Sequence, residues 1–313
     1  MKVRHVEDRT MGRKLLLGLL LLTPLGLYPF LRNSDGSKLP IDYFPDPVPA
    51  LTPDERLVLG CLTVFPGDSF PASIPWEPLR KIGQQESRAF EELAAKDPVA
   101  FLARCLSRYE KEVKGYRCIF VKQERVAGKL GPKERIRVHF KEKPFSVHMD
   151  WLEGNALLAA VRTLYVDGEN DGLLLARPTV SVLGIQQRKV DDPQVKATSR
   201  FPITQFGTYL GAKDTKYHMQ EAQKNGTLHV KYEGITRVKE LGNRPCYKFR
   251  RYPYLPPEGD GVNDLTIYID LDTHMQVGSV LKDVEGMLIA EYFFRDIELN
   301  PTFSDIQFTR KAL

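Results

Sequence analysis

Asp167, Glu169 and Asp171 followed by Gly172 open like a calcium loop, where carboxylates at alternate positions supply hard oxygen ligands. The twelfth position is Pro178, where such a loop needs a bidentate glutamate, so the run reads as a hairpin turn. Asp270 and Asp272 offer a second carboxylate pair, but a strand ending in Asp-Leu-Asp-Thr is ordinary turn chemistry. The six histidines, at 5, 139, 148, 218, 229 and 274, form no H-E-x-x-H and no close pair, and His139 and His148 are expected on the solvent faces of strands. No G-x-S-x-G, Walker loop or dinucleotide glycine pattern occurs. No catalytic residue, metal ligand or cofactor is therefore assigned. A hydrolase assembled from scattered polar residues is the least favoured class, since a triad needs no sequence motif.

Arg244, Lys248, Arg250 and Arg251 interleave with Tyr247, Phe249, Tyr252 and Tyr254. Such a run could stack on bases or hold anionic headgroups, but a strand with one wet face explains it more simply. Of the four cysteines, Cys118 and Cys246 fall in predicted strands. A bridge between them would close a loop of more than a hundred residues, which chain entropy values at roughly 4 to 5 kcal/mol. Cys61 could then pair with Cys105, and three full pairings stay open. With no C-x-x-C, the four form no zinc ribbon or thioredoxin-type site.

The elements that must position these residues change character along the chain. Prolines at 40, 45, 47, 49, 53, 66, 71, 75 and 78 mark residues 32–80 as a spacer. A helix is predicted over about Trp76 to Ala95. A stronger one follows, with Asp97 as cap, Pro98 at its first position, an apolar stripe from Phe101 to Tyr109, and Gly115 as its end. After Gly115 the apolar period becomes two. Strands are predicted at Tyr116–Val126, Arg135–Phe140, about Phe145–Trp151, Leu164–Val166, Leu173–Ala176, Leu228–Glu233, Cys246–Tyr252, Leu265–Asp270, Gln276–Asp283 and Leu288–Arg295. A helical insert carries Ile203, Phe206, Tyr209 and Leu210 on one stripe.

The chain has 313 residues, 42% hydrophobic and 27% charged, with a net charge of +5. That composition excludes wholesale disorder and a multi-span membrane protein. Lys2, Arg4, Arg9, Arg13 and Lys14 precede an uncharged run from Leu15 to Leu31. Residues 1–31 thus read as a signal peptide or an inner-membrane anchor through 15–31, with either Met1 or Met11 as start. Both outcomes export everything after Leu31 to a periplasmic or cell-envelope location, which argues against a nucleic-acid partner. Val58-Leu59-Gly60-Cys61 imitates a lipoprotein cleavage box, but charged Asp54-Glu55-Arg56 precedes it.

Residues 106 to 313 resemble a bacterial family known as domain of unknown function 1571. The resemblance rests on Tyr116-x-Cys118, Phe120, Lys122-Gln123-Glu124-Arg125, Gly128-Lys129-Leu130, Pro144-Phe145-Ser146-Val147, Trp151, Leu164-Tyr165-Val166, Asn170-Asp171-Gly172 and Ile267-Tyr268-Ile269-Asp270. That family is similar in layout to the lipoprotein carriers LolA and LolB and to the sensor RseB. The resemblance implies an α+β fold, mainly antiparallel β, in which an incomplete, open β-barrel of LolA-like form wraps over helices across 81–313. It also implies an apolar cavity for acyl chains. Ile136, Val138, Phe140, Phe145, Val147, Met149 and Trp151, the apolar faces of two neighbouring strands, are the candidate cavity positions, with plain core as the alternative. The expectation is a non-enzymatic carrier of lipid or lipoprotein acyl chains, the alternative a protein-binding or envelope-stress sensor module.

Overall fold

The computed structural model describes residues 87–154, 160–255 and 261–313, all within one structural unit, Asp42–Leu313. The expected export segment, the proline-rich spacer and Cys61 lie outside these residues. Helix α1 covers 87–96. Helix α2, Pro98–Glu112, starts as predicted: Asp97 accepts from the Ala100 amide at 2.9 Å, and proline occupies the first turn where its missing N–H costs nothing. It buries Val99, Phe101, Leu102, Cys105, Leu106 and Tyr109. The helix ends at Glu112 with an extended Val113, not at Gly115. Gly115 instead opens the first strand, where a Cβ would lie 2.5 Å from the Phe140 carbonyl oxygen.

Twelve strands follow: β1 Gly115–Val126, β2 Lys129–Leu130, β3 Glu134–Lys141, β4 Ser146–Glu153, β5 Ala160–Val166, β6 Leu174–Pro178, β7 Gln186–Arg188, β8 Val230–Val238, β9 Arg244–Arg251, β10 Asp264–Asp270, β11 Gln276–Lys282 and β12 Leu288–Leu299. Two helices interrupt them, α3 Pro193–Lys196 and α4 Thr208–Lys224. Every pairing is antiparallel, and the sheet order is β7-β6-β5-β4-β3-β1-β12-β11-β10-β9-β8, with β2 paired to β1. The sheet does not close on itself: β7 and β8 are its edges. The fold is thus α+β and mainly antiparallel, an open barrel-like sheet laid over helices.

Alternation sends one face of each strand inward. On β1 the inner residues are Tyr116, Cys118, Phe120, Lys122 and Glu124, all buried. Ladder partners extend this face to Phe140, Val138, Ile136, Phe294 and Tyr292. Helices α1, α2 and α4 cover the far half, where Phe90, Phe101 and Met219 pack on Tyr247, Phe249, Ile267 and Ile269.

The outer face is not uniformly wet. His148, expected on a solvent face, is buried, because the C-terminal segment crosses outside β4 to β6. Gln307 Nε2 lies 2.7 Å from His148 Nδ1, and Phe308 and Leu313 pack on Leu164, Val166 and Leu175. His139 is half-buried beneath the Phe303 ring.

Candidate functional site

The seven candidate positions come together. Ile136, Val138, Phe140 and Val147 are at most 1% exposed, Met149 is buried, and Phe145 and Trp151 pack against the same cluster. Own side chains stand between them. Phe140 stacks on Tyr116 at 4.8 Å and meets the edge of Phe145 at 5.4 Å. Phe206 sits over the middle of this face, its ring centroid 5.2 Å from Phe120, 5.5 Å from Phe294 and 6.1 Å from Phe140.

Phe206 comes from an irregular lead-in and not from a helix stripe. Ile203–Gln205 is a single 3₁₀ turn, and Gly207 at φ 125° redirects the chain into α4. The Thr208 amide then donates to the Tyr116 hydroxyl at 3.3 Å. A side chain at Gly207 would strain this backbone and crowd that same hydroxyl.

Along β1 the inner face turns from apolar to charged. Lys122 Nζ donates to Glu124 at 2.8 Å and lies 3.6 Å from Glu134, with the Lys122 and Glu124 side chains 7% and 5% exposed. Tyr292 donates its hydroxyl to Glu124 at 2.8 Å, and the Trp151 indole N–H donates to Glu134 at 2.6 Å. Ser199, at the start of the lead-in, joins Lys122 and Glu124. Burial, and then the neighbouring Glu124 carboxylate, raise the Tyr292 hydroxyl well above the usual tyrosine range, so it stays a donor. Lysine and glutamate are almost never this buried unless paired. The cluster forms a polar collar beside the apolar floor, and the lead-in crosses both.

Cys118 and Cys246 are free, buried thiols, which corrects the expected bridge. The reason is strand parity. Cys118 shares the inner face with Tyr116 and Phe120, whereas Cys246 shares the outer face with Lys248 and Tyr268, four strand steps away. Cys246 Sγ contacts the Arg244 carbonyl at 3.7 Å, and burial pushes its thiol up to about 12.

The basic and aromatic stretch is a ladder of satisfied ion pairs. Arg244 meets Asp270 at 2.6 Å, Lys248 meets Glu233 at 2.7 Å and Arg250 meets Asp264 at 2.7 Å. These last four residues border an outer-face cleft of about 370 Å³ that none of the seven candidates line. Arg251 is buried, donating to the Leu255 carbonyl and lying 3.6 Å from the Tyr254 ring centre.

Asp270, read as turn chemistry, caps its turn by accepting from the Thr273 amide and hydroxyl. Burial alone would raise its carboxyl, but the Arg244 and Thr273 hydrogen bonds overcome that and hold it below the usual range. Asp167–Gly172 is the β5–β6 turn, with Asn170 and Asp171 left-handed.

The buried collar escaped the sequence analysis, although a signal was present: Lys122 and Glu124 continue the alternate positions of Cys118 and Phe120. Residues 113–312 match a family described as protein of unknown function, DUF1571. The chain belongs to the DUF1571 family.

No curated protein matches this DUF1571 chain. Among solved structures it is similar to the MucA/MucB complex of Pseudomonas aeruginosa, at 16% identity over 69% of this chain and 62% of the other, TM-score 0.40. It is also similar to lipoprotein LppX of Mycobacterium tuberculosis, at 12% identity over 67% and 100%, TM-score 0.33. A LolA superfamily protein of Nitrosomonas europaea gives 9% identity over 67% and 98%, TM-score 0.28. The architecture itself is read from the strand order above.

Proposed function

We propose that this DUF1571 protein is an exported, non-enzymatic binding protein of the cell envelope. Its inner sheet face takes the acyl chain of a lipid or lipoprotein. One observation carries the reading: Phe206, held on a short irregular lead-in, covers the middle of an apolar face made by Phe120, Phe140 and Phe294. Such a residue can yield its place to an aliphatic chain without unwinding a helix. Each CH₂ brought in from water contributes about 0.8 kcal/mol, so a chain of ordinary length offsets the loss of one aromatic contact set. The seven inner positions from Ile136 to Trp151 form the floor that the chain meets, and the Lys122–Glu124 collar faces its polar end.

Titration with a fluorescent fatty acid tests the reading. Wild-type protein is expected to saturate with the probe, and Phe206→Ala to saturate at lower concentration because its plug is gone. Absence of saturable uptake by both proteins would end it.

A second reading, a protein-binding module, is favoured by β8. This edge strand exposes Lys231, Glu233, Ile235 and Arg237 at alternate positions and pairs on one side only. A partner that binds there would protect the amides of 230–238 from hydrogen exchange.

A further inference from the structure

Ten large hydrophobic side chains are exposed among the described residues, and seven of them share one end of the sheet. Leu130 lies in the β1–β3 connection, Val180, Val182 and Leu183 between β6 and β7, Tyr252 just after β9, and Val284 and Met287 in the β11–β12 turn. The antiparallel register fixes their common location, because Glu124 pairs with Ala290, Ala160 with Pro178, Asp264 with Lys282, and Val230 with Arg251. Val182 is 87% exposed and Val284 74%. The turns at the opposite end, 142–145, 167–173, 239–243 and 271–275, hold no such side chain, and Ile306, 52% exposed, lies near them on the C-terminal segment. Those four turns hold six carboxylates (Glu142, Asp167, Glu169, Asp171, Glu240, Asp272) and two lysines (Lys143, Lys239), with Arg244 paired to Asp272 and Lys114 beside them.

Among the described residues the apolar end has no excess of positive charge, and in sequence the β9–β10 connection adds Glu258 and Asp260. Turns 127–133, 179–185, 252–255 and 283–287 carry Lys129, Lys133, Asp283 and Glu285. Asp283 pairs with Arg125 at 2.8 Å and Lys133 with Glu291 at 2.5 Å. From β6 to β9 the tips are spread over eight strand steps, roughly 40 Å along the sheet at about 4.8 Å per step. A groove in a protein partner would gather its anchors within a small patch, whereas separate tips on separate turns suit a fluid apolar surface.

The geometry points to this end as a docking surface for the interfacial zone of a lipid bilayer. Val182, Leu183, Val284 and Met287 enter it, Tyr252 lies at headgroup level, and no anionic lipid is required. The opposite, charged end stays in water. The collar of Lys122, Glu124 and Glu134 stands at the docking end, so a docked molecule turns its polar cluster toward the lipid. Docking does not depend on the acyl-chain reading and is measured separately from it.

The test uses the full chain with Cys61→Ser and an environment-sensitive fluorophore on Val284→Cys, or on Glu169→Cys at the opposite end. Both are mixed with phosphatidylcholine vesicles. A local probe reports burial of the tip whether or not residues 15–31 also insert. The expected result is a blue shift and quenching by spin-labelled lipid at 284, unchanged by salt, with the label at 169 still in water. Adding Val182→Asp and Met287→Asp should lower the lipid-buried fraction at 284 by about tenfold. Labels that both stay in water at saturating lipid would overturn the assignment. So would a signal that requires anionic lipid and vanishes with salt. A concentration-dependent shift at 284 without vesicles would overturn it too, in favour of a second copy of this chain.

Discussion

Lys122 and Glu124 stand two residues apart on β1, joined at 2.8 Å inside the sheet, and neither side chain reaches water to any useful extent. Removing one partner strands the other charge. Lys122→Met is expected to destabilise the protein by about 3–5 kcal/mol, whereas the paired change Lys122→Met with Glu124→Leu restores much of that loss. Urea unfolding of the two variants checks it. Equal losses would show that the two side chains do not act as a pair.

Phe206→Ala removes a buried ring that touches three other aromatic side chains. A loss of about 3–5 kcal/mol is expected if the face stays empty. Added fatty acid should restore part of it, because a ligand that binds only the folded state stabilises by mass action. Thermal melts with and without the fatty acid check this.

Stability should fall in mild acid. Burial holds His148 and His274 down to about 4 against an ordinary 6.5, helped by His139 and by Arg108 respectively. Both are neutral in the folded protein, so the unfolded chain binds more protons below pH 6.5. Their contribution is complete above pH 6.5 and is lost as pH falls toward 4. Urea midpoints measured between pH 7.5 and 4.5 should drop. His148→Gln, which keeps an amide beside Gln307, should make that drop shallower.

Much of this was legible beforehand. The switch to period two at Gly115 located the strands because each turns one face inward, and Asp97-Pro98 announced the start of α2. The seven candidate positions emerged on one face for the same reason. Three-residue β7 was too short to show a period. His148 was misplaced because nothing in β4 itself says that residues 303–313 will cross outside it. The spacing of Phe206 with Ile203 and Tyr209 fits a helix, yet Gly207 breaks the stripe there. The Cys118–Cys246 pairing failed because counting cysteines ignores which face each strand position takes.

That parity makes its own prediction. The thiols of Cys105, Cys118 and Cys246 are buried and raised by burial, so in native protein they should resist a thiol reagent and react after unfolding. Non-reduced peptide mapping of exported protein should find no Cys118–Cys246 link.

Acyl-chain binding on the inner face is read out by native mass spectrometry with lipid extraction on the full chain. The expected result is an acyl-chain species that is released on denaturation and depleted by Val138→Trp, which fills the floor. Protein that carries no lipid and takes up no fluorescent fatty acid, either as wild type or as Phe206→Ala, would contradict it.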